Sequence, residues 1–178
     1  MRTLLAIGLM CTAAVAGAQV GMLGAGAGLT FELHPEAFPN KDWRRGEDFS
    51  PVVSFSLNLS DDTAVRLQAR DLSRTTRVGG APWNGRFRAY TVGADYLLPG
   101  TFGQASFSGG VGAYRLDLAG ERAPQGVEGQ EFGWYVAVGE RFQLTHTTRL
   151  LGEIVLDRTG HADSPTLLTA ALMVAVVF

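Results

Sequence analysis

Seven charged residues lie inside runs that are otherwise apolar. Arg66 and Arg70 alternate with Val65, Leu67 and Ala69. Asp95 falls between Ala94 and Tyr96, and Arg141 follows Val136-Ala-Val138. Arg149, Glu153 and Asp157 are interleaved with Leu150, Ile154 and Leu156. In an extended strand, successive side chains face opposite sides. The charges therefore share one face and the apolar side chains the other. A buried charge left without a partner is costly, so the acids and cations of this face are expected to meet. The expected network joins Arg66 and Arg70 to Glu153 and includes Asp95, with Arg141 and Arg149 on the same face. Its chemistry is neutralisation inside a closed interior rather than turnover of a substrate.

Other residues with reactive chemistry are less well placed. His161-Ala-Asp163-Ser164 contains the residue types of a hydrolytic triad. A triad draws its nucleophile, base and orienting acid into one held geometry, whereas these three lie within four residues of one connection. The chain is therefore read as not an enzyme, with a lipid hydrolase as the weakest alternative. His34 and His146 fall in separate connections, so no metal site is expected, and no cofactor. Gly21, Gly24, Gly26 and Gly28 resemble a phosphate loop only superficially, because no strand precedes them and no Lys follows. A third set is cationic and aromatic: Trp43, Arg44, Arg45, Arg74, Arg77, Trp83 and Arg86 lie on or near the longer connections. Guanidinium forks suit phosphate groups, which makes these residues candidate contacts to lipopolysaccharide or a protein partner. The plainer reading is solvated loop charge with tryptophan interface anchors.

The elements that would position these residues are strands. Val53, Phe55, Leu57 and Leu59 alternate with Ser54, Ser56 and Asn58, and Tyr90, Val92, Ala94, Tyr96 and Leu98 alternate with Ala89, Thr91, Gly93 and Asp95. Similar runs begin near residues 20, 63, 101, 132 and 149. The last, 165–178, is uncharged and puts Leu168, Leu172, Val174, Val176 and Phe178 on its bulkier face. That makes eight strands. Short links at 60–62, 99–100 and 145–148 alternate with longer ones at 34–48, 73–84, 119–131 and 158–164. In a closed meander, every short turn then falls at one end and every long loop at the other. Phe31, Phe49, Trp83, Phe87, Phe132 and Trp134 would mark the loop end, and Tyr96, Phe102, Phe142 and Phe178 the turn end. Two such aromatic rings suit the two interfaces of a membrane.

Composition agrees with this reading. The chain has 178 residues, 23 of them Gly, and a formal net charge of −2, which excludes a generally basic nucleic-acid binder. Fourteen of its fifteen cations are Arg, leaving only Lys41. Arg2, the apolar stretch 4–15 and Ala16-Gly17-Ala18 read as an export signal cut after Ala18. The expected domains are thus a signal peptide, 1–18, and a barrel, 19–178. Cys11 lies within the signal, so the mature chain has no thiol chemistry.

With these features the chain resembles the small eight-stranded outer-membrane barrels of the outer membrane protein A and X type. The residues carrying the likeness are the Ala16-Gly17-Ala18 box, the eight alternating runs and the terminal Val174-x-Val176-x-Phe178. The resemblance implies an all-β, antiparallel, up-and-down transmembrane β-barrel in the outer membrane. It also implies that Val174, Val176 and Phe178 are read by the barrel-assembly machinery. It carries no activity motif. The expected role is structural or interactive, exercised through the outer loops above a plugged lumen. The alternatives are a narrow channel for small solutes and a soluble periplasmic barrel that binds a ligand.

Overall fold

A computed structural model describes residues 20–33, 41–42, 50–78, 81–100, 103–119, 129–160 and 166–178. They form β1 (Val20–Glu32), β2 (Lys41–Asp42), β3 (Ser50–Asn58), β4 (Thr63–Val78), β5 (Ala81–Pro99), β6 (Gln104–Ala119), β7 (Gly129–Gln143), β8 (Thr148–Thr159) and β9 (Thr166–Val177). Eight are long. β2 is a two-residue strand that pairs with the far end of β4. The long strands pair antiparallel in the order β1-β3-β4-β5-β6-β7-β8-β9, and β9 returns to β1. The sheet therefore closes on itself, which removes the free edges that an open sheet presents. At the seam, Gly21 and Phe178 exchange backbone hydrogen bonds of 2.8 and 2.9 Å.

Short links join β3 to β4, β5 to β6 and β7 to β8, and the termini of the sheet fall at the same end. Leu59 N–H to Thr63 O, Gly100 N–H to Gly103 O and Leu144 N–H to Thr148 O close these turns at 2.8, 2.9 and 3.0 Å. Within the first turn, the hydroxyls of Ser60 and Thr63 donate to Asp62 and hold its carboxyl below the ordinary carboxylate range.

The opposite end differs from the sequence reading in β2, which lies inside the expected loop 34–48, and in the arms of β4 and β5. The expected loop 73–84 is mostly strand, because β4 continues to Val78 and β5 starts at Ala81, in register through Val78 and Ala81. Thr75, Thr76, Val78 and Trp83 are strand formers, and only residues 79 and 80 separate the two arms. β6 accompanies β5 as far as Ala119, whereas β3 pairs with β4 only up to Arg70. Among the described residues, the wall built from β4, β5 and β6 therefore extends beyond β3.

Alternation sorts the two faces. Leu172, Val174 and Val176 of β9 are each more than half exposed, while Leu167, Thr169, Met173 and Ala175 are buried. The same division holds around the wall: Leu23, Val53, Leu67, Val92, Phe107, Val136 and Ile154 all face outward. An apolar belt that none of the described residues covers matches the lipid-facing surface of a membrane barrel. On β7, Phe132 and Phe142 lie ten residues apart on this outer face. At about 3.3 Å per residue and a tilt of roughly 40°, they are about 25 Å apart in height, which is the height of such a belt. Tyr90, Phe132 and Trp134 mark the loop end, and Tyr96 and Phe178 the turn end. Phe87 does not belong to the outer ring. It is 7% exposed and points inward, as its parity with Ala89 and Thr91 requires. Phe49, Phe102 and the side chain of Trp83 lie outside the described residues.

Candidate functional site

The inward charges form two sets, one above the other in the bore. In the lower set, Arg66 of β4 donates from Nη1 to Glu153 Oε2 of β8 at 2.5 Å, and Gln68 Nε2 donates to Glu153 Oε1 at 2.6 Å. Arg66 Nε lies 3.1 Å from Asp95 Oδ1 on β5, and Arg141 of β7 donates to the other oxygen of Asp95. In the upper set, Arg70 donates both terminal nitrogens to Asp157, at 2.6 and 2.5 Å. Tyr114 Oη donates to the same carboxylate at 2.6 Å. The Arg70 guanidinium also lies 5.6 Å from the centre of the Tyr135 ring, a cation–π contact. The side chains of Arg66, Arg70, Asp95, Arg141, Glu153 and Asp157 are at most 5% exposed.

The topology explains why these residues meet. In the closed order, β4 and β8 are separated by three strands in either direction, so they face each other across the full bore. Arg66 and Arg70 are four residues apart on one wall, and Glu153 and Asp157 four residues apart on the other. Both spacings preserve parity, and both correspond to about 13 Å of strand. The cross-bore pairs therefore stack as parallel struts. An interior of eight strands is just wide enough for side chains to fill. Glycines make room for the rings: a methyl group on Gly133 would meet Tyr114 Cε2 and Cδ2 at 2.7 and 2.8 Å, and one on Gly110 would meet Tyr135 Cε1 at 2.7 Å. Above the upper pair, Leu72, Phe87, Leu116 and Leu167 close the loop-end side of the bore with Tyr114. Towards the other end, Met22, Val52, Leu151 and Met173 pack together.

One expected partnership is corrected. Arg70 pairs with Asp157 and not with Glu153, which is taken by Arg66 and Gln68. Parity places a residue on a face, but which residues meet across a barrel depends on strand stagger, which a single sequence does not display. Arg66 and Arg141 balance Asp95 and Glu153 in charge without Arg149, which is half-buried nearer the short turns and within electrostatic reach of Arg141. Sequence reasoning left Asp157, Gln68, Tyr114 and Tyr135 out of the network. The signal for Asp157 was present: its spacing from Glu153 equals that of Arg70 from Arg66.

The loop-end candidates divide. Trp43, Arg44 and Arg45 lie outside the described residues, as do His161, Asp163 and Ser164. Arg74 and Arg77 are on β4 and Trp83 on β5, with only their backbone described. Arg86 belongs to a strand rather than a loop, faces outward and is paired with Asp71. Arg88 and Arg115 flank Asp117 on the same outer wall, at 3.4 and 2.8 Å. At the chain end, Val174 and Val176 face outward and the Phe178 ring stacks on Phe55 at 6.4 Å. Among the described residues, no group of His, Cys, Asp and Glu is arranged to hold a metal.

No protein-family model matches the chain, and no curated protein sequence matches it. Solved structures do match. Ail, the attachment invasion locus protein of Yersinia pestis, superposes with a TM-score of 0.62 at 10% identity, covering 89% of this chain and 98% of that one. Neisserial surface protein A gives 0.62 at 12% identity, covering 89% and 96%. The outer membrane protein OprG from Pseudomonas aeruginosa gives 0.59 at 15%, covering 91% and 97%. At these identities the likeness is one of fold, and it agrees with the closed order of strands, the apolar belt and the turn asymmetry: the chain has the fold of the small eight-stranded outer-membrane β-barrels.

Proposed function

We propose that this protein is an outer-membrane barrel with a sealed lumen that acts at the cell surface, through its loop end and outer wall, in envelope integrity or adhesion. The observation that carries this reading is the pair of cross-bore struts, Arg66–Glu153 and Arg70–Asp157, under an apolar lid. Together they set paired charges and apolar side chains across the bore, where a solute would have to pass. The long-loop end faces outward, and its arginines meet the phosphates of lipopolysaccharide. The leader 1–18 is removed at export, and Val174, Val176 and Phe178 present the strand to the barrel-assembly machinery. The protein is not an enzyme and carries no cofactor. The similar fold of Ail, which has also been solved in complex with the heparin analogue sucrose octasulfate, supports a surface able to take polyanions.

Planar-bilayer recording tests the central point. Purified protein should insert without producing steady current. Reproducible unitary conductance would replace this reading with a channel. Fractionation tests the location, where recovery in the aqueous periplasmic fraction would refute it.

A further inference from the structure

We propose that the outer wall of β4, β5 and β6 binds one phosphate-bearing glycolipid of the outer leaflet, of the lipid A type. The arginines Arg88 and Arg115 would take its phosphate, and the groove below them an acyl chain. This deepens the membrane reading and rests on it.

Three observations carry the inference. The first is a groove of about 450 Å³ on the outer wall, bounded by Val53, Phe55, Leu67, Ala69, Tyr90 and Val92. Its size falls within the roughly 300–1,000 Å³ of small-molecule clefts. These side chains fall in two register rows, Val53–Ala69–Tyr90 and Phe55–Leu67–Val92, with Ala69 as the low point between larger neighbours. The second is height. The next outward row is Asp71–Arg88–Arg115, and the one after it holds Arg86 and Asp117. They begin about 7 Å beyond Tyr90 along the strands, where headgroups follow acyl chains. The third is charge. Arg88 and Arg115 stand directly opposite each other on neighbouring strands, a like-charge arrangement that destabilises a sheet. Asp117 relieves it only in part, and Asp71 is engaged by Arg86. Among the described side chains, the cluster holds three guanidiniums against two carboxylates, a formal excess of one positive charge. The side chain of Arg115 is 58% exposed, so its fork is open to an oxyanion. Three strands at about 4.8 Å spacing give a cationic face roughly 10 Å wide, broad enough for a sugar headgroup.

The test is native mass spectrometry of the full chain in non-ionic detergent with added lipid A, phosphatidylglycerol or phosphatidylcholine. One lipid A per barrel should be retained, with each of the other lipids bound about tenfold less. Arg88→Gln with Arg115→Gln should lower lipid A occupancy by roughly tenfold, because two charge-assisted forks are lost. Arg115→Gln alone should give an intermediate loss. Ala69→Trp should lower occupancy with every charge intact, because it fills the groove. A heat-dependent gel shift certifies that each variant is folded. Equal occupancy in wild type and the double variant would overturn the site. Equal retention of phosphatidylglycerol would overturn the glycolipid assignment. Recovery of the chain from the aqueous periplasm would instead overturn the membrane reading beneath both.

Discussion

Asp157 accepts three hydrogen bonds, two from Arg70 and one from Tyr114, in a side chain fully removed from solvent. Removing one member of such a buried pair leaves the other uncompensated, at a cost of about 3–5 kcal/mol. Asp157→Ala should therefore lower the unfolding free energy in detergent by about that amount, measured by urea titration of the gel-shifted form. Glu153→Ala should cost a similar amount, since it leaves Arg66 and Arg141 to share the single carboxylate of Asp95 and takes the acceptor from Gln68. The two struts are about 13 Å apart along the strands and share no hydrogen-bonding partner. The double variant should then be additive to within about 0.5 kcal/mol. A larger coupling energy would mean that the lumen is one network rather than two. At this scale the sequence was only half legible. The alternation placed every one of these charges on the inward face, but it could not supply the height of each residue in the bore, so Arg70 was matched to the wrong acid. Asp157 and Tyr114 sit level with Arg70 only because of how far β6 and β8 are staggered against β4.

Strands and turns were more legible than partners, because a two-residue period survives any stagger. The exception, the arms 73–78 and 81–84, shows where period reading stops. Residues 73–77, Ser-Arg-Thr-Thr-Arg, carry no apolar face from which a period of two could be read, since an extension beyond the membrane has no lipid to meet. Gly79, Gly80 and Pro82 are the residue types of a loop. Phe87 shows the reverse case. Its aromatic type suits a membrane interface, but its parity turns it inward, into the apolar lid itself. Glycine has one clear structural duty among these strands. The β7 backbone at Gly133 lies against the Tyr114 ring that reaches Asp157. Gly133→Ala should press on that ring and on the Arg158 carbonyl of β8, and lower stability by about 1–3 kcal/mol. Tyr114→Phe keeps the ring and loses only the hydroxyl, and should cost about 1–2 kcal/mol. If Gly133→Ala were as stable as wild type, the ring would not be seated as described.

For the whole barrel, lipid contact and lumen sealing are separate properties of the same two-sided strands. The outward residues decide where the protein resides, and the inward ones decide what crosses it. Barriers in series define the strongest test of the second. A solute or ion moving along the axis must pass the Leu72–Phe87–Leu116–Leu167 lid, then the Arg70–Asp157 strut, then the Arg66–Glu153 strut. Because an eight-stranded interior is only about as wide as the side chains that fill it, any one of these layers is enough to block it. Glu153→Ala and Phe87→Ala should therefore each leave the bilayer silent, although Glu153→Ala is destabilised. Conductance should emerge only when all three layers are thinned together, as in Phe87→Ala with Arg70→Ala, Asp157→Ala, Arg66→Ala and Glu153→Ala. Removing both members of each pair avoids stranding a charge, so this variant should still show the heat-dependent gel shift of a closed barrel. Current through Phe87→Ala alone would show that the struts do not seal the bore. Silence from the folded five-site variant would place the seal elsewhere, with Met22, Val52, Leu151 and Met173 nearer the turn end as the next layer to remove.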